Sequence, residues 1–143
     1  MNKKTISKDK FIKRFTALSL SRLSELPQNN EARQILLKSL SLGFEYDTTY
    51  TEKQVNEIII SWINDLAHIS GTDHVYLRRS LIDYNYLSRT ANGQSYRREE
   101  AQPNVPLDFD ADIDKVSLKE ELDKAAAEAE AKKQYYMNLK ENK

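Results

Sequence analysis

The sequence predicts a mainly α-helical fold with one small β-hairpin, followed by a linker and a helical tail. One observation behind this prediction is an apolar stripe at helical spacing, formed by Val55, Ile58, Ile59, Trp62, Ile63 and Leu66. Another is the pair Asn92-Gly93 between two short extended segments, which is typical of a hairpin turn. A short helix with an arginine pair lies between the stripe and the hairpin. This order of elements predicts a winged helix-turn-helix domain.

Two helices are expected before the stripe. The first should run from about Ser7 to Leu26-Pro27, because the residue before a proline disfavours helical backbone. The second should run from Asn30, a residue type that caps helix N-termini, to Gly43, at an expected C-cap. The apolar residues at helical spacing are Phe11, Phe15, Leu18 and Leu23 in the first helix and Ile35, Leu36, Leu40 and Leu42 in the second.

The helix that carries the stripe is expected to begin after Thr51. Thr51 and Gln54 form a capping-box pattern, in which each side chain bonds the backbone N–H of the other residue. Just before it, Tyr46, Thr48 and Tyr50 alternate with polar residues. This alternation predicts a short strand or an extended connection.

The arginine-bearing helix is expected to begin at Asp73. Residues three or four apart lie on one face of a helix, so its two faces are read from the spacing. The positions expected to face the core are Leu77, Leu81 and Tyr84. The positions expected to face solvent are Tyr76, Arg79 and Asp83, with Arg78 on the flank.

The hairpin is expected to turn tightly and to carry arginines on its returning strand. Asn92-Gly93 predicts a type I′ turn, whose two central residues both need positive φ. Side chains alternate between the two faces of a strand. Tyr96 and Arg98 should therefore share one face, with Arg97 on the other.

Composition divides the chain into a domain at 1–100, a proline- and aspartate-rich linker at 101–116 and a charged helical tail at 117–143. The net charge of zero hides a split between the two ends. Residues 1–98 carry fifteen Lys and Arg against ten Asp and Glu, whereas residues 99–143 carry seven against twelve. A basic front part followed by an acidic back part is consistent with a polyanion-binding surface in the front part.

The acidic run from Asp108 to Asp114 is expected to be irregular and solvated. Ser117 and Glu120 form a second capping-box pattern, which heads a segment rich in Ala, Glu and Lys. This segment should be helical. A weak coiled-coil seam with alternating steps of four and three residues runs through Leu118, Leu122, Ala125, Ala129, Lys132, Tyr136 and Leu139. A solitary, partly frayed helix or a partner-binding helix is at least as good an interpretation.

Two blocks of the sequence carry a resemblance to a known family: YTEKQVNEI at 50–58 and DHVYLRRSLIDY at 73–84. Leu87–Arg89 and Tyr96–Arg98 match it as well. Through these blocks the stretch from about 23 to 99 resembles an uncharacterised bacterial family of winged-helix-like domains, described by similarity as transcriptional regulators. The resemblance implies a winged-helix-like fold. The chain departs from the family at Asn85, where glycine is usual, but asparagine tolerates the left-handed conformation.

DNA binding is the function that the residues favour. Arginine suits phosphate oxygens and the acceptor edge of guanine, and a tyrosine beside it adds contacts to the sugar-phosphate backbone. The candidate residues for double-stranded DNA are Tyr76, Arg78, Arg79, Arg89, Arg97 and Arg98. Asp65, Asp73 and Asp83 are near enough to pair with Arg78 or Arg79 in a structural ion pair, and for Arg78 this interpretation is as good as DNA binding. The other four arginines are expected to be exposed.

Two other binding functions stay open. A winged helix is also a docking module, and the helix at 117–143 offers a site for a protein partner or for self-association. The acidic tail from Asp108 onward could also fold back over the arginines as a DNA mimic. RNA or ribosome binding is the third hypothesis.

Enzymatic activity is not expected. The chain has no cysteine, three isolated glycines and two histidines, so no nucleophile, phosphate loop or zinc motif emerges. The run Asp108–Asp114 fails as a calcium loop because Ile113 stands where glycine is needed. No cofactor or metal is predicted. No secretion signal or membrane span is evident, so a cytoplasmic location is expected.

Overall fold

The structure is a computed structural model that describes residues 4–99 and 106–141. In chain order its elements are β1 (Lys4–Ile6), α1 (Lys8–Leu20), α2 (Asn30–Ser41), β2 (Thr49–Thr51), α3 (Glu52–Trp62), a π-helical turn (Ile63–Ala67), α4 (His74–Asp83), β3 (Leu87–Arg89), β4 (Ser95–Arg98), β5 (Leu107–Phe109), a 3₁₀ helix (Ala111–Lys115) and α5 (Leu118–Glu141). Helices dominate, and the small antiparallel sheet includes the predicted hairpin. The prediction of a mainly helical fold with a small hairpin is confirmed.

The apolar stripe is the central face of the core. Val55, Ile59 and Trp62 are buried, and the other stripe residues are half-buried at its edges. The Trp62 indole donates a hydrogen bond to the Ser39 hydroxyl on α2 (2.9 Å), which satisfies its polar atom inside the core. The predicted capping box at Thr51 is present with both of its bonds, so the start of α3 is confirmed.

After α3 the chain turns back sharply to position α4. The π-helical turn ends at His68, which has left-handed backbone (φ 56°). The backbone N–H groups of Ser70 and Gly71 then donate to the carbonyls of Leu23 and Ser24, at 3.1 and 2.6 Å. Gly71 is required for this approach, because a Cβ there would overlap the Ser24 carbonyl oxygen. This crossing fixes where α4 begins.

The three-stranded sheet has the order β2-β4-β3, with all pairs antiparallel. Its hairpin turn is wider than the type I′ turn predicted from sequence. Gly93 has positive φ (74°), but Asn92 is not among the described residues with positive φ. The Asn92 side-chain oxygen accepts from the Thr90 hydroxyl (2.6 Å) and the Gln94 N–H (3.0 Å). These bonds hold a loop that needs one left-handed residue instead of two, so the predicted turn type is wrong.

Helix α1 begins as predicted but ends earlier than Leu26-Pro27. Ser7 caps its N-terminus, and its last residue is Leu20. Arg22 has left-handed backbone (φ 55°), which ends the helix well before the proline acts. The predicted end is therefore wrong.

Helix α2 matches its predicted range, with two local corrections. Its N-cap is Asn29, whose side chain accepts from the Ala32 N–H (3.0 Å), and not Asn30. Gly43 does not adopt the left-handed conformation of a C-cap glycine. It gives room to Ile58 of α3, because a Cβ at Gly43 would lie 3.1 Å from the Ile58 Cγ2.

The strand predicted over Tyr46 to Tyr50 is shorter and begins later. Asp47 has left-handed backbone (φ 58°), which interrupts an extended chain, and β2 begins at Thr49. The Tyr50 ring packs edge-on against Phe44 at 5.2 Å between ring centroids. Only the second half of the predicted strand is therefore present.

The acidic run is structured, which corrects the expectation of an irregular, solvated segment. Strand β5 pairs in parallel with β1 and is followed by the 3₁₀ helix. Leu107, Phe109 and Ile113 are buried, and Phe109 packs edge-on against Phe11 of α1 (6.3 Å). In the sequence these apolar residues are separated by aspartates. Because the aspartates dominate the composition of the run, the buried apolar residues were overlooked in the prediction. The part of the predicted linker at 101–105 lies outside the described residues.

The tail is helical as predicted, from Leu118 to Glu141. Leu118 and Leu122 are buried, and the start of α5 packs against α1 and the π-helical turn. From residue 123 onward the side chains of α5 are exposed, except for the half-buried Ala125. No helix within 4–99 or 106–141 has both the length and the apolar character needed to cross a membrane.

Candidate nucleic-acid interface

Helix α4 presents the outward face that the spacing predicts. Asp73 caps it by accepting a hydrogen bond from the Tyr76 N–H (2.9 Å). Leu77 and Leu81 are buried, and Tyr84 is half-buried against the core. Tyr76, Arg79 and Asp83 are exposed, so the predicted division of the helix is confirmed.

The chain leaves α4 through a left-handed residue. Asn85 has φ 68°, the left-handed conformation that asparagine tolerates better than most residues. Tyr86 follows it, and its hydroxyl donates to the Gln34 side-chain oxygen on α2 (2.8 Å). Burial raises the pKa of the Tyr86 phenol well above its ordinary range, so the hydroxyl stays a donor. This contact anchors the start of the hairpin to the core.

Arg78 acts as a link between α4 and the start of α3. Its guanidinium donates to the Asn56 side-chain oxygen and lies 3.4 Å from a Glu52 carboxylate oxygen. Its side chain is only 18% exposed. The structural interpretation is supported, but its partners lie on α3 and are not the three aspartates expected from sequence.

Arg98 is buried, which corrects the expectation that it is exposed. It donates to the Phe44 carbonyl (3.0 Å) and to the Asp114 carboxylate (2.8 Å), and it lies over the Tyr46 ring at 4.0 Å. Its face of β4 is the one that Tyr96 shares, as predicted, and that face packs into the core. With 6% of its side chain exposed, Arg98 offers no surface to a polyanion.

The exposed hairpin arginines, Arg89 and Arg97, lie on opposite faces of the sheet. Arg89 is paired across the strands with Tyr96, and Arg97 is paired with Ser88. Directly paired residues share a face and successive residues alternate. Arg97 lies 3.6 Å from the Asp47 carboxylate on the outer face. The two arginines therefore do not form one basic surface.

Arg79 and Arg89 are brought together along one groove. A cavity of about 260 Å³ separates α4 from the hairpin, and its lining residues are Val75, Arg78, Arg79, Ile82, Asp83, Arg89 and Tyr96. Neither Arg79 nor Arg89 makes an ion pair with a residue of the described ranges. Two guanidinium groups that make no ion pair among the described residues thus line one groove from two different elements, with the Asp83 carboxylate beside them.

Two residues of this region were not identified as candidates from the sequence. Val75 is 47% exposed on α4, although a valine near a helix start is ordinarily assigned to the core. Arg33 on α2 donates to the Tyr76 hydroxyl (3.0 Å) and to the Pro27 carbonyl (3.0 Å). It is 43 positions away from Tyr76, so no local pattern indicated the contact.

Comparison with known proteins places the chain in a family. A family model for an uncharacterised protein conserved in bacteria, DUF2087, matches residues 22–98, which is more than half of the chain. The chain belongs to this family. The predicted resemblance over about 23–99 is confirmed to that extent. No curated protein and no solved structure matches the chain.

The DUF2087 segment contains all of the groove and only part of the fold. Helices α2 to α4 and the β2-β4-β3 sheet lie within it, whereas β1, α1, β5 and α5 lie outside. Within 4–99 and 106–141 no group of three or more His, Asp or Glu side chains is arranged to hold a metal ion. The DUF2087 segment therefore supplies a groove lined by Arg79 and Arg89, neither of which makes an ion pair among the described residues.

Proposed function

We propose that this DUF2087 protein binds double-stranded DNA as a winged helix, with α4 as the recognition helix and the hairpin as the wing. The order of α2, β2, α3, α4, β3 and β4, with β2 beside β4, is the order of elements in winged-helix domains. In helix-turn-helix proteins the second helix of the pair enters the major groove. Here that helix is α4, which packs on α3. A role in transcription regulation belongs to the same proposal.

The observation that carries the proposal is the groove that Arg79 and Arg89 line together. One arginine is on the helix and the other is on the wing, so a duplex backbone lying along the groove contacts both. Arg78 also lines the groove, but Glu52 and Asn56 already bind its guanidinium. Its contribution is to hold α4 in place.

The charge of the groove sets the expected strength of binding. Arg79 and Arg89 are opposed by Asp83, and the charge of Arg78 is matched by Glu52. The groove therefore carries a small positive excess. Such a surface supports salt-dependent binding of moderate affinity, because phosphate contacts gain free energy mainly by releasing counterions.

The exposed face of α4 offers groups for reading bases. Arg79 suits the O6 and N7 acceptors of guanine, and the exposed side chain of Val75 suits the methyl group of thymine. The Tyr76 ring, held by Arg33 through its hydroxyl, lies beside them. Base-edge contacts come from this face, and Arg89 contributes a phosphate contact.

The proposal is tested by fluorescence anisotropy with a labelled duplex over a series of salt concentrations. The double variant Arg79→Ala/Arg89→Ala is expected to lower the magnitude of the slope of log affinity against log salt by about 1–2, because each phosphate contact contributes roughly 0.9 and Arg79 adds a second such contact where it binds the backbone rather than a guanine. The matched control is Lys8→Ala/Lys13→Ala, which removes two exposed positive charges from α1. It should leave the slope unchanged.

Two results would overturn the proposal. One is the absence of salt-dependent binding to any duplex, and the other is an equal loss in the double variant and in the control. A parallel titration with RNA hairpins of the same length separates the nucleic acids. Binding to RNA alone would assign the groove to an RNA backbone instead.

A further inference from the structure

We propose that two copies of this chain pair through antiparallel α5 helices, each inserting the aromatic end of its α5 into an apolar cavity of the other. This self-association is independent of DNA binding. It explains two features that the groove does not use: exposed aromatic residues at one end of α5 and an open apolar cavity at the other.

The aromatic end of α5 is an exposed apolar surface. Tyr135, Tyr136 and Leu139, here named the tyrosine patch, are 61%, 53% and 46% exposed. The two tyrosine rings pack edge-on at 5.6 Å between centroids. Eighteen residues separate Tyr136 from Leu118, which is five full helical turns, so the two lie on the same face of α5. That face is buried at Leu118 and unpartnered at Tyr136 among the described residues.

The cavity lies where α5 begins. It measures about 520 Å³, and its apolar lining residues include Leu42, Ile58, Trp62, Leu66, Val116 and Leu118, with Glu57 and Lys119 among the polar ones. Its volume is within the range of roughly 300–1,000 Å³ found for sites that bury small molecules. Ser39, which also lines it, is already bonded to the Trp62 indole. The site therefore favours an aromatic occupant over a strongly polar one.

The tyrosine patch cannot fill the cavity of its own chain. Helix α5 is continuous from Leu118 to Glu141. At about 1.5 Å per residue, Tyr136 is about 27 Å from Leu118, which lines the cavity. A second copy in antiparallel orientation places its patch at this cavity, and the two-fold axis makes the exchange reciprocal.

The charges of α5 favour the antiparallel arrangement. Residues 118–130 carry five carboxylates and two lysines, and residues 131–141 carry three lysines and one carboxylate. In an antiparallel pair the acidic half of each helix lies beside the basic half of the other, whereas a parallel pair places like charges together. Between these halves the alanines at 125–127, 129 and 131 allow close approach. The charge pattern thus selects a second copy of this chain as the partner.

Sedimentation velocity over a concentration series tests the pairing. The wild-type chain should form a dimer, and Tyr135→Ala/Tyr136→Ala should weaken self-association by about tenfold or more, the loss typical of aromatic anchor residues. Ser61→Trp, at an exposed position that lines the cavity, should weaken it as well by filling the space. Met137→Ala is the matched control, because Met137 is equally exposed (46%) but turned away from Tyr135 by about 200°.

Cross-linking tests the orientation, and the absence of native cysteines makes it direct. A mixture of Lys119→Cys chains with Lys140→Cys chains should give mainly disulfides between the two variants. Disulfides that join only identical variants would indicate a parallel pair and contradict the proposal. A monomer at every concentration would overturn it, and so would a dimer that both the tyrosine and the Ser61→Trp variants leave intact.

Discussion

Two adjacent arginines of β4 differ in burial: one lies at the protein surface and the other in the core. Arg97 and Arg98 are adjacent, yet one side chain is 55% exposed and the other is 6% exposed. Strand alternation explains the difference, because Arg98 shares its face with the buried Tyr96. A guanidinium is tolerated there since Asp114, the Phe44 carbonyl and the Tyr46 ring all contact it. The pair of arginines therefore divides into a structural member and a surface member.

Replacing Arg98 should destabilise the fold. Arg98→Ala removes one of the two cations that contact Asp114 and the donor to the buried Phe44 carbonyl, so we expect a loss of about 2–4 kcal/mol in the free energy of unfolding. Arg97→Ala is the control, and it should change this free energy by less than about 0.5 kcal/mol, because its ion pair is exposed. Urea unfolding followed by tryptophan fluorescence measures both. Equal effects would contradict the assignment of Arg98 to the core.

At Gly71 the backbone leaves no room for a side chain. Gly71→Ala should force the 70–71 segment away from Ser24 and cost about 2–4 kcal/mol of unfolding free energy, which is typical of backbone overlap at a fixed crossing. It should also weaken DNA binding, since this crossing positions α4. The control is Ser70→Ala at the exposed neighbour. An unchanged midpoint of thermal unfolding for Gly71→Ala would show that this close crossing does not contribute to the stability of the fold.

At the scale of elements, the 3₁₀ helix holds the acidic run at 108–114 against the DUF2087 segment. Asp114 lies 2.8 Å from the Arg98 guanidinium and 3.0 Å from the Lys38 ammonium. Burial opposes ionisation of this carboxyl, but the contacts with Lys38 and Arg98 outweigh it and hold its pKa below the ordinary value. A segment that composition assigns to a solvated linker is thus held by two cations of the domain.

The lowered pKa of Asp114 predicts a dependence of stability on pH. A carboxyl with a lowered pKa in the folded state stabilises the fold above its unfolded pKa, ordinarily 3.8, and loses this effect as pH falls through the folded pKa. The difference in unfolding free energy between wild type and Asp114→Asn should therefore be largest near neutral pH and shrink below about pH 4. Asp112→Asn, at an exposed position of the same helix, should give no such trend. Urea midpoints at several pH values provide the measurement.

Local patterns predicted the helices and failed where contacts are distant in sequence. The stripe, the capping box at Thr51 and the outward face of α4 follow from residues within a few positions of one another. The burial of Arg98 depends on Asp114 and Phe44, which are 16 and 54 positions away. The partners of Arg78 on α3 are likewise distant in sequence. The arginine helix could thus be found from sequence, but which arginines remain unpaired could not.

For the whole molecule, the family segment and the core do not coincide. Eight buried apolar residues lie outside the match to DUF2087. Three precede it, namely Ile6, Phe11 and Phe15, and five follow it, namely Leu107, Phe109, Ile113, Leu118 and Leu122. The flanking segments on the two sides of this match meet in the parallel pair of β1 and β5. The DUF2087 segment of this protein is therefore packed against flanking elements, with α1 against α2 and both α1 and α5 against the π-helical turn.

This arrangement predicts that residues 22–98 do not form a cooperative unit alone. The fragment lacks eight buried apolar side chains, and the burial of each stabilises the folded state by roughly 1.5–3 kcal/mol. Their sum is more than the free energy of unfolding of most domains of this size. A fragment of residues 22–98 should unfold without a sharp transition in urea. A fragment of residues 1–124, which keeps β5 and the buried start of α5, should unfold cooperatively and stay monomeric. Cooperative unfolding of the short fragment would contradict the account of the core.

The central claim is that the groove between α4 and the hairpin is the surface that contacts DNA. Titration of ¹⁵N-labelled protein with a duplex, followed by amide chemical shifts, tests it most directly. We expect the largest shift changes at Val75–Asp83 and at Ser88–Ser95, with α1 and the body of α5 unchanged. Changes confined to α5 or to the cavity beside Trp62, with α4 unaffected, would contradict the claim.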